Sequence, residues 1–298
     1  METLFVWAPP FLVGELRRDS EERISFQYNT EWIQNPKGFA LSFSLKLNKD
    51  IIYYKEAEFF FANLLPEGNA RESLCRKMGI SVDNDFELLK RIGRDCAGAL
   101  IITDVRELDN ESPNLKEISR SDLEKWLQHG SNGILDLQVA GELRLSLAGA
   151  QNKLPLVYQN NKFFKPLGSH PTTHILKPSP ERFKYLPENE WFQARLAEDM
   201  GLKVAPSKLI KMGKAYSLVV TRYDRYQVEK AWKRLHQEDF CQALGVPGRK
   251  KYQKEGGPSF LECINIINER SSDPLEDIDS LLRWQIFNIL HLRQLCIL

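Results

Sequence analysis

Between residues 143 and 220 short apolar runs follow one another in an order that constrains the fold more than any other part of the chain. Leu143-Arg144-Leu145, Lys153 to Tyr158, Lys162-Phe163-Phe164 and His174 to Lys177 read as strands, rich in branched and aromatic residues. A helix is expected from Pro187, with Phe192, Leu196 and Met200 at i, i+4 and i+8, and Gly201 ending it. Ser207 to Ile210 and Tyr216 to Val220 then supply two more strands. The pattern is a run of strands interrupted by one amphipathic helix.

The segments before and after differ in texture. Upstream, Leu4 to Trp7, Leu12 to Leu16 and Ile24 to Tyr28 alternate apolar and polar residues between turn-formers, as in a small sheet. Helices are expected at Glu56 to Leu65, at Ala70 to Met78 with Gly79 as the stop, and from the capping oxygens near Ser81 to Asn84 up to Gly93. Asp104 to Gly133 carries scattered charges, Pro113 and a short amphipathic piece around Trp126, and reads as a connector. Downstream of Arg225 the expectation is helical, at Gln237 to Leu244, Ser259 to Asn268 and Leu275 to Leu290. Asp273 would cap the last of these, with Pro274 at its first position. The fold class is α+β. A small N-terminal α/β domain (1–104), a connector (105–140), a kinase-like N-lobe with its phosphate loop and hinge (141–225), and the start of an incomplete helical C-lobe (226–298) make up the expected organisation.

Composition narrows the function classes. In 298 residues, 41 Lys and Arg face 40 Asp and Glu, so a net charge of +1 gives no general pull toward nucleic acid. DNA contact is expected only indirectly, through a partner. Five cysteines, widely spaced and without a Cys-x-x-Cys pair, fit neither a disulfide framework nor a zinc site, and read as reduced thiols. With no basic leader and no long apolar run, the expectation is a cytoplasmic protein without a membrane span.

Two segments carry chemistry. Ser146-Leu147-Ala148-Gly149-Ala150, followed by Gln151, Asn152 and Lys153, is a small-residue loop between strands. Its backbone N–H groups could approach phosphate oxygens, or it could be a plain hairpin. Lys177 ends the apolar strand Ile175-Leu176, where a partly desolvated ammonium calls for an anion. Phosphates together with Glu190 on the following helix would meet that need, and so would snorkelling to water. Val219 to Arg225 changes abruptly from apolar to charged. That suits a crossing between lobes whose backbone reads an adenine edge, or a strand leaving the core with Arg222, Asp224 and Arg225 pairing among themselves.

Taken together, these segments resemble the HipA-type toxin serine/threonine kinases of bacterial toxin–antitoxin pairs. The likeness rests on residues 145–153, Pro171 to Lys177, Glu188-Asn189-Glu190, Thr221 to Arg225, Gln237-Glu238-Asp239 and Gly256-Gly257-Pro258. In the front domain it rests on Phe61 to Gly68 with Arg71, and on Ile92 to Leu100. The resemblance implies an ATP- and Mg²⁺-dependent Ser/Thr kinase, a DNA-binding helix-turn-helix antitoxin as partner, and a translation factor such as an aminoacyl-tRNA synthetase as target. By position it assigns the phosphate loop to Ala148, Gly149, Ala150, Gln151, Asn152 and Lys153, and the phosphate-contacting lysine to Lys177. Thr221, Arg222 and Tyr223 become the adenine-side hinge, and Ser146 becomes a candidate for autophosphorylation, which would repel incoming phosphates.

The likeness breaks at residue 291. Family members continue into a Gly-Asn-x-Asp-x-His-x-Lys-Asn catalytic loop and a later metal-binding aspartate, whereas this sequence reads His291-Leu292-Arg293-Gln294-Leu295 and three further residues. No catalytic or metal-ligating residue is therefore assigned, and the expectation is a truncated, inactive kinase polypeptide. Asp273, Glu276, Asp277 and Asp279 read as helix-capping carboxylates. Apolar faces at Ile264, Ile267, Ile286 and Ile289 are expected to be exposed. The alternative is a non-catalytic, antitoxin-like or scaffold protein that binds a partner kinase or a DNA-binding antitoxin.

Overall fold

A computed structural model describes residues 1–108, 115–128, 153–179, 185–229 and 231–290. At the front, β1 (Glu2–Ala8), β2 (Phe11–Arg18) and β3 (Ile24–Tyr28) form an antiparallel meander. The short strands β4 (Ile52–Tyr53) and β5 (Ile101–Thr103) complete a sheet of order β4-β3-β2-β1-β5. Alternation decides which face is buried: Leu4 and Val6, then Ile24, Phe26 and Tyr28, point into one core. That face is covered by α1 (Thr30–Gln34), α2 (Tyr54–Ala62), α3 (Gly68–Met78) and α4 (Asp85–Ile92). Asn84 caps α4 through its side chain, and Gly79 closes α3 in the left-handed conformation that glycine adopts without a Cβ penalty.

The second sheet has six strands in the order β10-β11-β9-β7-β8-β6. Its members are β6 (Leu115–Ile118), β7 (Leu154–Gln159), β8 (Lys162–Pro166), β9 (His174–Pro178), β10 (Ser207–Met212) and β11 (Ala215–Thr221). Segments that the sequence reading places in a connector contribute here: β6 is an edge strand paired with β8, and α5 (Arg120–Gln128) buries Leu123 beside Leu154, Leu156, Phe163 and Leu176. Helix α6 (Leu186–Asp199), with Pro187 in its first turn, lies against β10 and β11.

Beyond β11 the chain makes a hairpin, β12 (Arg225–Val228) with β13 (Ala231–Arg234), where the expectation downstream of Arg225 was helical. Three helices follow: α7 (Phe240–Leu244), α8 (Phe260–Arg270) and α9 (Pro274–Leu290). Asp239 and Ser259 close capping boxes on the first two. Asp273 accepts from the Glu276 N–H at the head of α9, as the capping reading expects. Phe287 is buried with Ala197 and Leu202, joining α9 to the back of α6. Ile286 and Ile289 stand more than half exposed on the other face. No described helix is long and apolar enough to cross a membrane, and the described cysteines, Cys75, Cys96, Cys241 and Cys263, are buried free thiols.

Candidate functional site

Strand register brings the site together. Leu154 on β7 lies opposite Leu176 on β9, so Lys153, just before β7, and Lys177, just after Leu176, come to the same end of the strand pair. Lys177 Nζ donates to the Glu190 carboxylate on α6, closing a part-buried ion pair between strand and helix. Lys153 feels the same neighbourhood. Burial, then the like charges of Lys177 and Lys251, bring its ammonium down to about 8, against the pull of Glu67 and Glu190. Behind Glu190 lies a cavity of about 170 Å³ lined by Gln193, Ala197, Ser207, Trp284 and Phe287. The sequence-predicted loop residues Ser146, Ala148, Gly149, Ala150, Gln151 and Asn152 lie outside the described residues.

A second ion-pair cluster comes from residues that the sequence reading gave no chemical role. Lys251 bonds Glu67, at the foot of α3, at 2.9 Å and lies 3.3 Å from Asp239. Burial opposes the Lys251 charge, but Glu67 and Asp239 outweigh it and hold the ammonium above its ordinary range. Glu67 thus brings the front domain within electrostatic reach of Lys153.

The segment predicted to be the hinge serves a second purpose. Arg222 is buried, and its guanidinium makes two bonds to Asp224, at 2.7 and 3.0 Å, and one to Asp95 at 3.1 Å. Arg225 bonds the other Asp95 oxygen at 2.8 Å, and Arg234 from β13 joins it there. Thr172 donates to the same carboxylate through its N–H and its hydroxyl, while Asp224 accepts the Gly98 N–H at 2.8 Å. Burial works against the Asp95 charge, yet Arg234, Arg222 and Arg225 hold its carboxyl far below the usual carboxylate range. Burial brings Arg225 down to about 10 in spite of Asp95.

Three arginines and two aspartates therefore clasp the front domain to the lobe, and the Arg222 side chain is spent on that clasp rather than on a ligand. The pairing among Arg222, Asp224 and Arg225 that the sequence allowed is present, with Asp95 at its centre. Along the backbone, Thr221 and Arg222 donate their N–H groups to Pro206 and Thr173 carbonyls. Tyr223, 69% exposed, stands clear of the core. Asp95 was hard to find because Ile92-Gly93-Arg94-Asp95 carries no periodic signal, and only the fold brings it to Arg222, 127 positions away.

A lysine on a central strand, paired with a carboxylate on a helix packed against that sheet, defines a protein-kinase-like N-lobe. The chain matches the HipA N-terminal domain over residues 4–103 and the HipA-like C-terminal domain over residues 145–293, and it belongs to the HipA-type toxin kinase family. It is 39% identical over 297 residues to a putative kinase of Sinorhizobium fredii, covering 97% of this chain and 70% of that one. To the serine/threonine-protein kinase toxin HipA of Shewanella oneidensis it is 30% identical, with 97% and 68% covered. Among solved structures, it resembles a HipA–HipB–operator DNA complex from Shewanella oneidensis with a TM-score of 0.82 at 29% identity, covering 97% of this chain and 69% of that one.

The described residues fit the phosphates of a nucleotide, since they offer Lys153 and Lys177 at one end of a strand pair, with the Glu190 partner such lysines require. Among the described residues no group of three or more His, Cys, Asp or Glu side chains is placed to hold an ion. Asp277 and Asp279 near the head of α9 bond Ser271 and Arg283, and Glu276 bonds Lys203.

Proposed function

We propose that this chain binds ATP in the manner of the toxin kinases it resembles, and that a polypeptide of these 298 residues alone does not turn it over. The Lys177–Glu190 ion pair carries the reading, because a partly buried ammonium oriented by a helix carboxylate is the device by which kinases hold nucleotide phosphates. Lys153, at the same end of β7 and β9, would add a second cation at the end of the loop. The backbone of Thr221 to Tyr223 would face the base. Residues 1–104 would act as a front domain, 141–225 as the lobe that carries the phosphate site, and 226 onward as the beginning of the helical lobe.

Phosphoryl transfer also needs a group that accepts the substrate hydroxyl's proton and side chains that grip the cation travelling with the nucleotide. The 298 residues contain no Gly-Asn-x-Asp segment, and no described carboxylate cluster takes its place. The Shewanella oneidensis structure holds HipA with HipB and operator DNA. By analogy we assign this chain a DNA-binding antitoxin partner, with DNA reached through that partner, and a translation factor as the target of a complete enzyme. The test is a titration with Mg-ATP alongside an assay for phosphate on Ser146. Micromolar to millimolar binding with no labelled product is expected, and steady phosphorylation by the purified chain would overturn the inactive reading. A chain that binds no nucleotide at all would favour the scaffold alternative.

A further inference from the structure

The segment read as the adenine-side hinge is anchored to the front domain on both sides of Tyr223. Before it, the Arg222 guanidinium donates to Asp95 at 3.1 Å and to the Cys96 carbonyl at 3.0 Å. After it, Asp224 accepts the Gly98 N–H at 2.8 Å, and Arg225 bonds both the Gly98 carbonyl and Asp95 at 2.8 Å. Asp95 holds the neighbouring strand entry as well, since the Thr172 N–H donates to it at 3.2 Å and Arg225 Nε donates to the Thr172 carbonyl at 3.1 Å. Arg222, Asp224 and Arg225 are all buried, so these bonds are made away from water.

Tyr223 stands exposed between the two anchors. Beside it, the Thr221 N–H donates to the Pro206 carbonyl at 2.8 Å, and Pro206, having no N–H, returns nothing to the Thr221 carbonyl. The Thr221 carbonyl and the Tyr223 peptide, one on either side of Arg222, are thus the backbone groups left to meet a base. We propose that Asp95 is a positioning residue for nucleotide binding: through Arg222 and Arg225 it sets the course of the hinge backbone, so that the front domain governs affinity for the base without touching it. This rests on the hinge reading of Thr221 to Tyr223 and extends it to the front domain. A shift of about 1 Å takes a backbone group out of hydrogen-bond range of its partner. By linkage the effect is reciprocal, and a bound base tightens the clasp.

The experiment measures the affinities of the full chain, of Asp95→Asn and of Arg234→Gln for adenosine and for magnesium tripolyphosphate. Loss of a base contact predicts that Asp95→Asn weakens adenosine by about fivefold to tenfold and leaves tripolyphosphate unchanged. Arg234→Gln, which takes one arginine from Asp95 and leaves Arg222 and Arg225 in place, should show a smaller loss of the same kind. A protein that is only less folded loses both ligands by one factor; that result, or no loss of adenosine in either variant, would overturn the assignment. In the unmutated chain, adenosine but not tripolyphosphate should slow amide hydrogen exchange in Asp95 to Gly98 as well as in Thr221 to Arg225, read by mass spectrometry, which requires no variant to fold. Slowing confined to Thr221 to Arg225 would sink the positioning role and leave the hinge reading standing. An unmutated chain that does not bind adenosine fails the hinge reading itself, and this proposal with it.

Discussion

At the scale of single residues, Lys177 pairs with one part-buried carboxylate, whereas the buried Arg222 and Arg225 are spent on two, Asp95 and Asp224. Lys153 is held near 8 by burial and by Lys177 and Lys251, so a nucleotide should bind best where it is protonated. Mg-ATP affinity is expected to decline as pH rises through about 8, and the decline should vanish in Lys153→Met; a pH series of titrations on both proteins checks this. Asp95 lies at the other extreme. Asp95→Asn leaves Arg222, Arg225 and Arg234 facing a neutral amide, and breaking a buried pair of this kind costs about 3–5 kcal/mol, to be read from urea melts. The sign of the pH effect follows from the depressed carboxyls of Asp95 and Asp224. Their stabilisation is fully present above the unfolded carboxyl value of about 3.9 and is lost progressively as pH falls below it. Acid unfolding of the native chain should thus begin only below about pH 4, and Asp95→Asn should flatten that limb. Lys177 and Glu190 were legible in the sequence because each lies at a marked place, a strand end and a helix start. Asp95, Glu67 and Lys251 were not, because only the fold brings Asp95 to Arg222, 127 positions away, and Glu67 to Lys251, 184 positions away.

At the scale of elements, periodicity located nearly every long strand and helix, since alternation and the i, i+4 stripe report burial directly. It failed where an element is short or lies at an edge. The strand Leu115–Ile118 is half exposed, and its pairing with β8 is dictated by the partner's backbone rather than by its own side chains. The hairpin Arg225–Val228 with Ala231–Arg234 is masked by charge because its arginines point into a buried cluster. The loop between α7 and α8 shows what a glycine pair can do: Gly257 admits the Lys250 and Lys251 backbone where any side chain would collide. Gly257→Ala should cost about 1–3 kcal/mol as an overpacked contact. Thermal melts of that variant test this, and an unchanged Tm would show that the loop yields freely.

At the scale of the whole molecule, the front domain and the lobe are joined too firmly to act as beads on a string. Besides the Asp95 clasp, the Ser42 and Ser44 hydroxyls donate to the Gln242 carbonyl, Gln242 Nε2 donates to Phe60 O and Asn63 Nδ2 to Val246 O. Buried polar contacts of this density couple the two cores. Unfolding should therefore be a single transition that Asp95→Asn splits in two, visible by calorimetry, whereas two transitions in the native chain would refute the coupling. The same rigidity fixes the lobe whose strands hold Lys153 and Lys177, and the central claim is that these strand lysines, with Glu190, hold the phosphates of a nucleotide. Side-by-side calorimetric titration of Mg-ATP into the native chain and into Lys177→Met measures it most directly. The account predicts saturable one-to-one binding in the first and a loss of about tenfold or more in the second; equal affinities would contradict it.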